Sequence, residues 1–496
     1  MAVPGFRLRR FSDGFIAICR GSTGVVVVAG LAILLDLWRT GLWFSRTQID
    51  PDLSRVAGPV QSYAHVLHDP FGFEGLQTGL RYPGAGRAMA HLTTKAWADH
   101  VLGWRHLFVS DPVHAVYLGL GGTAVLVHIG WLVVGCGYLR AYKCMSVKSV
   151  IFCALGLSLF VQLASQRFYL GIIDSSMSYT FAYAIPLLSL AAFFLPVYQS
   201  LLHPSYVPSV RVTIGLVPLA VYLAFSGPLV QPVVALLCLL LAGAQVMLRK
   251  RLLAHRRLIP GLGTLAILSA WGMYVSRFNS ESATSVTLAA RYKLLRHGLF
   301  QVLIRPSSPW PILLLALVFL YRFVSRSAEP SQHVRLRTHM LVGLGFSVLW
   351  LTLLPLGGYR NYRPFILSSV TLLPVTLIAA YLFVLLLRVA LSVEGASASK
   401  GLRALGRSVR IITFGFPVIV LVLLAFGKVM AAPQNNSCQR ASFDLLRDET
   451  GTVLRIPRTC PMLTETIGAL DDSDYQQAIT KLLRRWRIIE ANQTLK

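Results

Sequence analysis

The chain has 496 residues, of which 55% are hydrophobic and only 14% charged, with a mean hydropathy of +0.61. That balance excludes a soluble globule and describes a polytopic membrane protein. A formal net charge of +27 would suggest nucleic acid in a soluble chain, but here the basic residues flank apolar segments, so nucleic acid is excluded as a partner.

A helix needs about 20 mostly apolar residues to cross a bilayer. Eleven such runs are read near 23–44, 112–139, 148–165, 178–201, 212–226, 229–248, 259–276, 309–324, 339–356, 364–388 and 410–430. The fold class expected is therefore an all-α polytopic membrane protein with about eleven transmembrane helices. The pairs 212–226/229–248 and 339–356/364–388 are short enough to be re-entrant. The first run is too long for a signal-peptide core and lacks a small-residue cleavage signal, so it reads as an anchor. The segments FRLRRF, LRAYKCMSVK, HPSYVPSVR, RKRLLAHRR, YRFVSRSAEPSQHVRLR and 388–410 hold nearly half of the 47 Lys and Arg, beside only Asp13, Glu329 and Glu394. This is the positive-inside pattern with the N-terminus inside. An odd helix count then places the C-terminal tail outside.

Two domains follow: a transmembrane domain over 1–430 and an exterior C-terminal α+β domain over 431–496. The first exterior segment, 45–111, contains SRVAGPVQSYAHVLHD, FGFEGLQTGLRYPGAG and RAMAHLTTKAWADHVLGW; in the last, Met89, Leu92, Trp97 and Val101 recur at helical spacing. Helices of this kind would lie along the membrane surface. The second, 277–308, holds a basic amphipathic stretch that ends at a Pro/Ser turn. In the tail, a helix over ASFDLLRDE, an extended TVLRIP and a last helix are expected. That last helix starts at Ser473 with Gln476 as its capping-box partner and gathers Ile479, Leu482, Leu483 and Trp486 on one face. Cys438 and Cys460 are the two exterior cysteines of seven and are candidates for a disulfide. The other five match no zinc or redox spacing.

Acid is scarce, which makes it informative. Of 20 Asp and Glu, eight fall in the tail, three are cytoplasmic, and Asp36 alone lies inside a span. Asp50, Asp52, Asp69, Glu74, Asp99, Asp111, Asp174 and Glu281 remain outside. Any acid or base chemistry at the outer face would draw on these, with Asp50, Asp52, Asp69 and Glu74 the catalytic candidates. Arg81, Arg87, Arg291, Lys293, Arg296, Arg360 and Arg363 stand where the positive-inside tendency would place few cations. GGYRNYRP puts two Arg and two Tyr, including Tyr362, in one short loop, as a phosphate site would need, because guanidinium groups grip phosphate oxygens two at a time. Lipid headgroups are the plainer partner for them. Asp174 and Tyr179, in RFYLGIIDSSMSYTFAY, are substrate-contact candidates or a helix cap and a belt residue. YLGLGG reads as close helix packing. No cofactor is indicated, and no metal set beyond His65 and His68, which lack a third ligand.

A cytoplasmic N-terminus, a first span followed by a long exterior loop opening on QIDPDL, many further spans and an exterior tail resemble the polytopic C-fold (GT-C) glycosyltransferases. The resemblance is architectural and covers most of the chain, with QIDPDL its one local match. It implies an enzyme of the bacterial inner membrane that moves a sugar from a polyisoprenoid-phosphate donor to a glycan or glycolipid acceptor on the periplasmic or extracellular face. It places the catalytic base on Asp50 or Asp52, with Asp69 and Glu74 in contention. The donor phosphate falls to Arg360, Arg363, Arg291, Lys293 and Arg296; Arg81, Arg87, Asp174, Tyr179 and Tyr362 are left to contact substrate. A lipid-linked oligosaccharide polymerase or ligase, or a flippase or transporter of such a substrate, is the alternative, although no internal repeat suggests a transporter.

Overall fold

A computed structural model describes residues 22–59, 61–101, 111–143, 145–161, 171–174, 176–203, 205–248, 256–281, 286–305, 308–327, 330–357, 366–392, 436–455 and 472–495. Within them the chain is almost entirely helical. The first apolar run forms α1 (Ser22–Ser45), and four short helices fill the segment after it: α2 (Pro51–Ala57), α3 (Gln61–His68), α4 (Phe73–Thr78) and α5 (Ala88–His100). Then come α6 (Pro112–Tyr142), α7 (Val147–Val161), α8 (Met177–Leu202), α9 (Val210–Ala224), α10 (Val230–Leu248) and α11 (Ile259–Val275). An amphipathic α12 (Leu288–Ile304) precedes α13 (Trp310–Ser327), α14 (Pro330–Leu353) and α15 (Ser369–Ser392). The tail supplies α16 (Ser437–Asp448) and α17 (Ser473–Arg485), with β1 (Val453–Leu454) and β2 (Thr494–Leu495) paired in parallel.

Ten of the eleven expected apolar runs are thus helices, and the eleventh, 410–430, lies outside the described residues. Six helices are long and apolar enough to cross a membrane, and three more are apolar but shorter. One boundary is corrected. α14 begins at Pro330, so the basic stretch PSQHVRLR, expected as a loop, is the first part of a helix. Proline at the start of a helix costs nothing, since its missing N–H would have had no partner there.

The local causes are ordinary. Asp111 caps α6, its carboxylate accepting from the N–H groups of Val113 and His114 at 3.4 and 3.0 Å, with Pro112 in the first turn. Gly121 of YLGLGG lies against the backbone of Gly41, so a side chain there would drive α1 and α6 apart. Inside the bundle, Asp36, Thr40, His128 and Ser158 tie α1, α6 and α7 together. Thr40 Oγ1 lies 3.2 Å from His128 Nδ1, His128 Nε2 lies 3.0 Å from Ser158 Oγ, and Ser158 donates to the Asp36 carboxylate.

Helix direction alternates along the chain, so the loops sort to two ends. One end is basic. There Arg388 donates to the carbonyls of Leu139 and Lys143, Arg257 donates to that of Pro208, and His203 meets Ala141. The other end collects α2 to α5, the turns at 225–230 and 276–281, α12 and the tail. The tail is bonded to this surface: Gln439 bridges the N–H and carbonyl of Ile49 and the hydroxyl of Tyr117, and Asn436 donates to Ser45. Arg447 pairs with Asp111 at 2.8 Å. Ile479, Leu482, Leu483 and Trp486 are fully buried in the same hydrophobic core as Leu53, Ala57 and Ala98, so the apolar face of α17 rests on α2 and α5 rather than on lipid. The cap of α17 is Asp472, which accepts from the N–H of Asp474; Ser473, expected in that role, is the first residue of the helix.

Candidate functional site

The question raised by QIDPDL is what two carboxylates do around one proline. Asp50 occupies the N-cap position of α2, and Pro51 fixes the first turn, yet its side chain makes no cap bond. Instead it turns away from its own helix and accepts from the N–H of Ser178, at 3.2 Å, at the start of α8. Its other oxygen, Oδ1, is buried with no hydrogen-bond partner among the described residues. A cap is worth about 1 kcal/mol, which this site forgoes. Burial pushes the carboxyl of Asp50 above its ordinary range, against the opposing hydrogen bond from Ser178.

Asp52, half-buried two positions on, opens into a half-open cleft of about 80 Å³ lined by Tyr63, Arg87, His91, Thr94, Tyr179 and Glu281, with Ser178, Ala182 and Tyr183 completing one wall. The wall comes from α8, whose outer turn, Thr180–Ala184, is a π-helix, a local widening often found at functional sites. Gly227 allows it, because the next turn passes so close to the Ala182 carbonyl that any Cβ would collide.

The far side is supplied by the second loop. Tyr82 and Asn279 form an isolated parallel bridge, with Tyr82 N–H donating to Phe278 at 3.0 Å and Ser280 N–H to Tyr82 at 3.2 Å. The Asn279 side chain then accepts from the N–H groups of Gly84 and Glu281. This fixes Glu281 beside Tyr63, which donates to it at 3.2 Å, and 3.7 Å from Arg87. Burial, reinforced by the Glu281 charge, pushes the Tyr63 hydroxyl up to about 12, so it stays protonated and donates. Arg55 stacks over Tyr63 at 5.4 Å and over Tyr475 of α17 at 3.8 Å, which links the tail to the cleft wall. His91 is buried, and its Nδ1 has no partner among the described residues. Burial, assisted by the charge of Arg87, lowers it to about 4 and keeps the ring neutral.

The expected residues divide accordingly. Asp52, Arg87 and Tyr179 converge here, and Asp50 does not line the cleft but is bonded to Ser178, which does. Asp69 does not: its carboxylate accepts from Phe73 N–H at 2.7 Å, Gly75 N–H at 3.1 Å and the Tyr82 hydroxyl at 3.1 Å, holding α4 in place. Burial raises its pKa, but those bonds outweigh it and hold the carboxyl below the usual range. Glu74 is exposed and faces His65 at 3.1 Å, and Arg81 is exposed. Asp174 accepts from Ser176 N–H at 2.9 Å and from the Ser369 hydroxyl at 3.5 Å, pinning α15 to the turn before α8, whose cap is Ser176. Arg291 donates to the carbonyls of Pro355 and Gly357, and Lys293 and Arg296 are exposed on the same helix. Arg360, Tyr362 and Arg363 lie outside the described residues, just beyond Gly357. So does Cys460; Cys438 is half-buried, and no disulfide forms among the described residues.

Tyr63, His91 and Thr94 are among the cleft residues that sequence reading did not assign, and it named Glu281 only as one of the eight outer acids. The apolar spacing of RAMAHLTTKAWADHVLGW marks Met89, Leu92, Trp97 and Val101 as the face of a helix along the membrane surface; Leu92 is 50% exposed, and the residues that α5 buries are Ala88, Ala90, His91, Thr94 and Ala98. Small residues let α5 approach closely, and that approach brings His91 and Thr94 to the cleft. No protein-family model and no curated protein matches the chain.

Proposed function

We propose that the protein is an integral membrane glycosyltransferase that moves a sugar from a polyisoprenoid-phosphate donor to a glycan or glycolipid acceptor in this cleft. In this reading the chain crosses a bacterial inner membrane eleven times with its basic end cytoplasmic, and the cleft faces the other side. One observation supports the reading: an acid just beyond the first span, Asp52, shares a half-open cleft with Arg87, Glu281 and three tyrosines. A sugar hydroxyl is a weak nucleophile near neutral pH and needs a carboxylate within hydrogen-bond reach.

In the proposed step, Asp52 takes the proton of an acceptor hydroxyl as its oxygen bonds to the anomeric carbon of the donor. The bond from that carbon to the phosphate oxygen breaks, and its electron pair leaves with the polyisoprenoid phosphate. The developing charge on the phosphate needs cations already in place. We assign Arg360 and Arg363 to it, together with Lys293 and Arg296 of α12, the helix that Arg291 ties to Gly357. Tyr179 and Tyr183, rings 5.5 Å apart, offer faces for a sugar to stack on. Asp69 and Glu74 have no part in the step, and Asp50 holds the α8 end of the cleft.

The test is to disrupt the gene and compare surface glycans and glycolipids by mass spectrometry. Loss of one hexose or pentose, restored by the wild-type gene and not by Asp52→Asn, is expected. Accumulation of a complete lipid-linked unit would assign the protein to polymerisation or flipping instead.

A further inference from the structure

In the proposed orientation α12 is on the side of the membrane where topology places few cations, and its two faces differ sharply. Leu295, Gly298 and Val302 form the buried stripe, with Gly298 so near Leu367 that a Cβ there would lie 3.0 Å from the leucine side chain. Tyr292 donates to the carbonyl of Thr352 at 2.9 Å, and Arg291 to those of Pro355 and Gly357. These acceptors are in the last turn of α14 and just after it, where Leu349, Leu353 and Leu356 are exposed apolar residues at the end of a candidate span. α12 is thereby fixed across the level at which the apolar surface of α14 stops. Its opposite face carries Lys293 and Arg296 in the first half and Phe300, Leu303 and Ile304 in the second, all exposed, the apolar three by 45 to 60%. Lys293 and Arg296 meet no carboxylate among the described residues, and no Asp or Glu occurs between Glu281 and Glu329. Exposed apolar side chains in line with unpaired cations suit a helix lying in the headgroup layer, where the first enter the acyl boundary and the second meet phosphates. The missing carboxylates select among headgroups, because an anionic one is attracted while the cation of a zwitterionic one finds no partner.

We propose that this face of α12 docks on the bilayer and binds anionic phospholipid headgroups, with Lys293 and Arg296 on the phosphate and Phe300, Leu303 and Ile304 among the acyl chains beside it. The docking needs the membrane setting and not sugar transfer. A phosphate-bearing donor would reach the same two cations by displacing one of these headgroups.

The test replaces Phe300→p-benzoylphenylalanine in the full-length protein, which keeps an aromatic side chain at an exposed position and cross-links on irradiation to whatever C–H bonds lie against it. The protein is reconstituted in nanodiscs of phosphatidylglycerol and phosphatidylcholine in equal parts, with identical acyl chains, and the adducts at position 300 are identified by mass spectrometry. Phosphatidylglycerol adducts are expected to exceed those of phosphatidylcholine by about fivefold or more, the preference that one cation near the surface confers. Adding Lys293→Gln and Arg296→Gln is expected to bring the two to parity. Equal adducts with both cations present, or a preference that the double change leaves intact, overturns the headgroup assignment. Adducts with protein alone, or none with lipid, overturn docking on the bilayer. An adduct that forms only after decaprenyl phosphate is added gives the face to the donor lipid and overturns the phospholipid. None of these readouts involves sugar transfer, so their failure and that of the cleft's proposed activity are told apart.

Discussion

Two places in this protein combine an aspartate, a histidine and a serine, and they are built to opposite plans. In the bundle, Asp36, His128, Ser158 and Thr40 are 0 to 4% exposed, and every one of their polar side chains has a partner. At the loop-rich end, His91 and Ser178 line a cleft and Asp50 is bonded to Ser178 behind it, and Asp50 Oδ1 and His91 Nδ1 have no partner among the described residues. The residue types are the same, and their bookkeeping differs. A closed polar network inside a bilayer fixes helices against one another. An open one at a cleft keeps capacity for something that is not protein. Residue type and burial alone would rank the two equally; satisfaction separates them.

The largest expected effect tests the open site. Asp52→Asn should lower sugar transfer by a factor on the order of 10²–10⁴, the usual contribution of a general base, while the thermal unfolding midpoint stays unchanged. A fall in both together would make Asp52 part of the scaffold and erase the contrast. Next is acid titration. His91 is held neutral in the folded state with a pKa of about 4, below its unfolded value of about 6.5. The unfolded chain therefore binds more protons in that window, so stability is full above pH 6.5 and falls as pH drops through 4, by about 3 kcal/mol. Asp50 works in the opposite sense, since its raised pKa makes the folded state gain relative stability as pH falls. Melting curves of wild-type protein and His91→Asn across pH 6.5 to 4 isolate the histidine: the slope should be shallower in the variant, and equal slopes would remove it from the buried set.

The closed network should answer differently. Asp36→Ala strips the partner from Ser158 and leaves buried polar atoms on α6 and α7, at a cost of about 2 kcal/mol. Unfolding should occur at lower temperature, and transfer per folded molecule should not change. If transfer fell in proportion to Asp52→Asn, the network would belong to the reaction.

Sequence reading reached the scaffold because hydrophobic runs are local: ten helices coincide with apolar stretches counted along the chain. It also reached Asp50 and Asp52, since QIDPDL follows directly on α1. It named Glu281 only as one of eight outer acids, because its place in the cleft depends on a two-residue bridge between Tyr82 and Asn279 that no periodicity marks. His91 escaped for a related reason. Helical spacing is read from large apolar residues and points to the membrane surface, whereas α5 packs inward by its small residues, and that face carries His91. Asp69 misled in the other direction, because an acid beside two histidines looks available until its backbone partners four and six residues on are seen.

Asp69 and Glu74 therefore give the smallest and sharpest comparison, two acids five positions apart in one loop. Asp69 accepts three hydrogen bonds in a buried setting, and Asp69→Asn should lower stability by about 1–2 kcal/mol, because an amide cannot accept all of them. Glu74 has a half-exposed side chain, and its ion pair with His65 is at the surface, where such pairs are worth little. Glu74→Ala should shift the midpoint by an amount equivalent to under about 0.5 kcal/mol, and neither change should touch the catalytic step. Differential scanning fluorimetry with a parallel transfer assay checks both. A loss of transfer in Glu74→Ala at unchanged stability would move the working carboxylate out of the cleft and into this loop, because an exposed acid with no structural task has no other way to matter.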